Sequence, residues 1–138
     1  MSDMKYSDFQ AAVDSTLSRH RGVFDVLSKI QESSARVNRA VIKAATTCGC
    51  VQLRAEKQQL DDSVTLDQLH LLMDDCVDGE LCENCRSVIE KELGALLYYT
   101  AGLCNTLDIS MYDAILEEEK RLTTLGRFAL RLQYCIVL

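Results

Sequence analysis

Proline and tryptophan are both missing from this chain, and only six of its 138 residues are glycine. Without proline nothing in the sequence forces a helix to kink or stop. β-Branched alternation is also missing, so an all-β architecture is excluded, and helical spacing recurs instead. No run of about 18 apolar residues exists, which excludes a membrane-spanning helix. The opening stretch, MSDMKYSDFQ, is polar and carries no signal-peptide core, so a cytoplasmic location is expected. There is no phosphate-binding glycine loop and no dinucleotide fingerprint. The two histidines, His20 and His70, lie in polar helical settings that offer no Ser/His/Asp context. Internal repeats and low-complexity tracts are absent as well.

The formal net charge is −6, which makes nonspecific nucleic-acid binding a poor fit. That total hides an asymmetry. Residues 1–57 carry nine Lys/Arg against six Asp/Glu, and residues 58–138 carry six against fifteen. Attraction between the two halves across one fold is the expectation. Lys29, Arg36 and Lys43 recur every seven residues, with Arg39 nearby, and make a basic stripe.

Cysteine, by contrast, is plentiful. Four of the seven fall into two close pairs, Cys48-Gly49-Cys50 and Cys82-Glu83-Asn84-Cys85, separated by 31 residues. Thiolates are good ligands for Zn²⁺, and a tetrahedral site takes four. A short spacer lets one turn present two sulfurs to one ion. The expected arrangement is a structural zinc site of Cys48, Cys50, Cys82 and Cys85, with no position open for catalysis. The odd total leaves Cys76, Cys104 and Cys135 over, and a reducing compartment favours metal over disulfides. Reduced thiols, a labile disulfide or an iron–sulfur cluster are the alternatives, and His70 or Cys76 could replace one ligand.

Apolar spacing and cap signals lay out the helices. Ser7-Asp8-Phe9-Gln10 has the form of a capping box and predicts a helix to about residue 19. A longer helix over 23–46 follows, with Val23, Leu27, Ile30, Ser34, Val37, Val41 and Ala44 on one stripe. Gly49 is suited to the positive φ of its terminus. Residues 51–64 read as a polar loop. Thr65-Leu66-Asp67-Gln68, a second capping box, starts a short helix that continues through Cys76 and stops before Gly79. The most hydrophobic helix spans about 83–107, and Ser110 caps a last one ending near Gly126. Residues 127–138 form a tail.

The run Glu92–Ser110, ELGALLYYTAGLCNTLDIS, resembles a helix of the MazG-like nucleotide pyrophosphohydrolases, whose pattern is roughly ELGDxLxYLxxLxxxLxID. Upstream, Lys29–Val37 can be laid on that family's KLxEExGEL. The resemblance covers about residues 23–47 and 86–122 and implies an all-α fold in which two or more chains share a helical core. It also implies an ExxE and an ExxD whose carboxylates gather Mg²⁺ for phosphoryl chemistry. Here those positions hold Ser33 and Arg36, then Glu92 and Ala95, so one carboxylate of four survives. A one-residue shift in the first motif places Glu32 and Ala35 there and recovers one more. An Arg36–Glu92 ion pair is the expected replacement for the metal.

Together these readings predict an all-α bundle of four or five helices with a MazG-like central pair and a structural zinc site. Residues 1–126 form one domain, with 51–81 an insertion closed by the metal. The implied function is a non-enzymatic interaction or regulatory module, homodimeric through Leu93, Leu96, Leu97 and Tyr98. One alternative is a nucleotide-binding or pyrophosphohydrolase site rearranged around Glu32, Glu90 and Glu92 with Mg²⁺. Another is a thiol-based redox or metal sensor.

Overall fold

The computed structural model describes residues 5–126, the side chains of Leu66 and Asp67 excepted. Five helices run in chain order: α1 (Tyr6–Thr16), α2 (Val23–Lys43), α3 (Leu66–Leu72), α4 (Glu83–Thr106) and α5 (Met111–Leu125). The chain is mostly helical, as its sequence predicts, and the expected tail at 127–138 lies outside the described residues.

Helices α2 and α4 form the antiparallel centre, with α1 packed on α4 and α5 on α1. At one end lies the core: Val13, Leu17, Val26, Ala101 and Met111, flanked by Phe9, Ile30, Tyr98, Tyr99 and Ile115. Tyr98 and Tyr99 meet edge to face, with ring centres 5.3 Å apart. Burial on α2 falls on Val26 and Ser33, while Leu27 and Ser34 are exposed. The predicted stripe is therefore right in period and off by one residue at those two steps, because α4, the helix packed along α2, meets the side that carries Val26 and Ser33.

The two capping boxes part ways. Thr65 and Gln68 close theirs as expected. Ser7 does not cap, because α1 already begins at Tyr6 with Lys5 as its N-cap. Gln10 serves a distant partner instead. Its amide donates to the Ile109 carbonyl at 2.7 Å and accepts from the Met111 N–H at 2.8 Å, so it ties the α4–α5 turn to α1. Ser110 does cap α5, accepting from the Asp113 N–H at 3.1 Å.

The stretch read as a loop and a longer helix holds a small antiparallel ribbon. Strand β1 (Val51–Leu53) pairs with β2 (Val77–Gly79), placing Val51 opposite Gly79 and Leu53 opposite Val77. Three-residue strands carry too little alternation to show in a sequence. Helix α3 stops at Leu72, and residues 54–76 emerge from the ribbon as an excursion. Arg54 cross-braces its base, reaching Asp74 at 2.7 Å and Asp78 at 2.6 Å. The Cys76 N–H also donates to Asp74 at 2.8 Å; that bond first, and Arg54 second, hold the Asp74 carboxyl below its ordinary range.

Gly79 sits at φ +88°, and a Cβ there falls 2.8 Å from the Cys50 carbonyl oxygen. Both facts demand glycine. Gly79→Ala is expected to cost roughly 1–3 kcal/mol and to loosen the ribbon beside Cys50. Thermal or urea melts of the variant check this; wild-type stability contradicts it.

Candidate metal centre

The antiparallel pairing brings the end of α2 beside the start of α4. Helix α2 runs on into a π-helical turn, Ala44–Cys48, and Gly49 ends it at φ 77°, in the left-handed region. Cys48 and Cys50 flank that reversal, and β1 starts directly after. Cys82 is the N-cap of α4, its sulfur accepting from the Cys85 N–H at 3.4 Å. The ribbon returns the chain from Gly79 to Cys82, so local turns and one strand pair deliver all four thiols to one place.

The four sulfurs of Cys48, Cys50, Cys82 and Cys85 lie within 4.8 Å of one another, and those of Cys48 and Cys82 are 3.8 Å apart. A disulfide needs about 2.05 Å. A tetrahedral ion with metal–sulfur bonds of about 2.3 Å sets its ligands about 3.8 Å apart. The cluster can therefore hold a metal ion. Cys48 is exposed and the other three are half-buried. Cys76 is elsewhere, its sulfur meeting Gln58 Nε2 at 3.2 Å, and His70 lies on α3, so neither belongs to the group. Cys104 packs against the core, and Cys135 lies outside the described residues.

Electrostatics within the cluster favour a cation. The Cys85 N–H at the α4 N-terminus, with hydrogen bonds from the neighbouring thiols, draws Cys82 down to about 7. Its neighbour Cys85 is pushed up to about 12, chiefly by Cys82 and then by burial. Cys48 is drawn down by Cys85 and pushed up by Cys82, ending above its ordinary value. Thiolates this close cannot all ionise without a positive charge between them.

The acidic alternative is arranged differently. Glu32 bonds Lys29 at 2.7 Å. Glu92, 14% exposed, receives Arg36 through Nε at 2.8 Å and Nη2 at 3.1 Å. That fork-to-fork pair is the one expected from the resemblance. Glu90 is exposed, and two residues from Glu92 on one helix it points to another face. Among the described residues the four cysteines are the group that can hold a metal. Farther along, Glu117 pairs with Lys120 and Glu118 with Arg121.

A cleft of about 430 Å³ opens between α2 and α4, lined by Arg36, Arg39, Ala40, Lys43, Val88 and Glu92. It adjoins a hollow of about 230 Å³ beside Cys48 and Cys85 that shares Ala40, Lys43 and Val88. The basic stripe was legible in the sequence; the groove was not, since it needs Val88 of α4 as its other wall. No family model, curated protein or solved structure matches this chain. No described helix is long and apolar enough to cross a membrane.

Loading a four-thiol site displaces the protons it holds. With Cys48 and Cys85 both raised, metal binding at pH 8 is expected to release about two or more protons per ion, and occupancy falls as the pH is lowered. Calorimetric titration in two buffers of different ionisation enthalpy measures the number; identical heats in both contradict it.

Proposed function

We propose that this protein is a non-enzymatic, zinc-stabilised helical module that works by binding other chains, a relative of the MazG-like pyrophosphohydrolases in which the Mg²⁺ carboxylates are gone. The observation that carries the reading is the Arg36–Glu92 pair. Where the resemblance calls for a metal between two helices, this chain has a fixed guanidinium. Ser33, at another of the carboxylate positions, is buried, and Ala95 is half-buried. Small side chains there support close helix packing and provide no ligand. The thiol set supports zinc, a soft-tolerant ion without redox chemistry that suits four closed sulfur ligands. Six free cysteines among the described residues suit a reducing compartment such as the cytoplasm.

Homodimerisation is part of the proposal. Seven apolar side chains are buried among the described residues, a small core for five helices. Helix α4 meanwhile leaves Leu93 and Leu97, one turn apart on one face, at 42% and 51% exposure. Such a face is the kind that a second chain covers.

Two measurements test the reading. Zinc is expected at one ion per chain, and Cys82→Ser is expected to lose it together with several degrees or more of melting temperature, since metal-binding free energy feeds folding. Full native stability in the metal-free protein overturns this. Common and modified nucleoside triphosphates with Mg²⁺ are expected to release no pyrophosphate. Turnover that disappears in Glu92→Gln establishes the rearranged enzyme instead.

A further inference from the structure

The chain carries two complementary surfaces that do not meet within one copy. Residues 56–80 hold eight carboxylates against the single Lys57. Their net −7 accounts for the whole charge of a −6 chain. Arg54 offsets part of this at the base, through Asp74, Asp78 and Glu56. The excursion also exposes apolar side chains. Leu71, Leu72 and Met73 are 74%, 53% and 48% exposed, and α3 makes no substantial packing contact with another helix. Three consecutive exposed apolar residues on an acidic projection form a surface lacking its counterpart.

The counterpart has its own place in the fold. In the α2–α4 groove Arg36 is committed to Glu92. Arg39 and Lys43, one helical turn apart, make no ion pair among the described residues and line the same cleft. The adjoining hollow is walled by Ala40, Ala44 and Val88, an apolar seat beside two free cations. Among the described residues the expected attraction between the basic and acidic halves is made by Arg36 with Glu92 and by Arg54 with Asp74 and Asp78, and it leaves Arg39 and Lys43 unused.

We infer that, in the dimer proposed above and on which this inference rests, the acidic excursion of each copy docks on the α2–α4 groove of the other. Leu71 and its neighbours enter the apolar hollow, and carboxylates of the excursion meet Arg39 and Lys43. The occupant is a second copy because one sequence supplies both halves. A two-fold axis makes each contact twice, groove to excursion and excursion to groove, as an isologous interface requires. Two copies of net charge −6 repel unless opposite patches are juxtaposed, so the same charges fix their orientation. Val88 lines the groove, whereas Leu93 and Leu97, one turn apart, lie on another side of α4 and form a separate patch.

A charge swap on the zinc-loaded full chain tests this by sedimentation equilibrium. One variant reverses the groove (R39E/K43E). The other reverses exposed carboxylates of the excursion that lie outside the Arg54 brace (D61K/D62K). Each alone is expected to weaken self-association by about tenfold or more, with helical content and metal load unchanged. An equimolar mixture is expected to recover the dimer, since both of its contacts again join opposite charges. Leu71→Ser is expected to weaken the wild-type dimer. If the wild type is dimeric and both variants match it, or if both are weakened and the mixture fails to recover, the docking is overturned while the dimer stands. A wild-type chain that sediments as a monomer at micromolar concentration overturns both.

Discussion

The structure depends on one closure, that of Cys48 and Cys50 against Cys82 and Cys85. The four thiols meet where the end of α2 lies beside the start of α4, and an ion held there would fix the two long helices antiparallel and in register. It would also clamp the mouth of the excursion. Joining residues 50 and 82 restrains a loop of 31 residues, whose closure entropy must otherwise be met by contacts in the native state. The excursion has few such contacts: a three-residue ribbon, the Arg54 brace and the bonds of Gln58 to Asp74. A metal ion held by the four sulfurs would stabilise this end of the molecule in place of hydrophobic burial.

The opposite end is held in the ordinary way. Val13, Leu17, Val26, Ala101 and Met111 exclude water where α1, α2, α4 and the start of α5 converge. Gln10 and Asn105 add specific bonds there, the amide of Asn105 donating to the Gln10 carbonyl at 3.1 Å. Between the two ends, α2 and α4 are joined by Arg36 and Glu92. The pair is uneven, with Arg36 55% exposed and Glu92 14%. Water screens the guanidinium, so the pair adds modest stability. Its larger effect is on register, because a bidentate fork accepts a carboxylate from one direction.

This division of labour leaves the surface uneven in charge. Negative charge concentrates in the excursion, where no helix covers it, while the stripe of α2 faces a groove. In a single compact core these regions would neutralise each other. Here the excursion makes no substantial packing contact with α2, and both patches stay exposed. A zinc-stabilised interaction module, as proposed above, suits such an arrangement better than a catalytic pocket. The groove's one well-buried carboxylate is already taken by Arg36, and the thiol set leaves no coordination position for a substrate.

Much of the site and of the helical framework was legible in the sequence, because both are written in short-range spacing. The CxC and CxxC pairs announce a four-sulfur cluster whatever fold carries them. Helices α2, α4 and α5, and the caps at Thr65 and Ser110, follow from bonds between residues three or four apart. Arg36 opposite Glu92 was legible only through the resemblance. Everything that rests on distant neighbours was decided by the tertiary structure. The β1–β2 ribbon is too short for a pattern of its own and exists because the cysteine closure brings residue 51 to residue 79. Gln10 left its local cap because the α4–α5 turn, about a hundred positions away, offers it two partners. Val26 and Ser33 were chosen over Leu27 and Ser34 by the direction from which α4 approaches. Local hydrogen-bond periodicity can be read along a chain; which faces meet, and which charges are left unmet, is settled only when the helices pack.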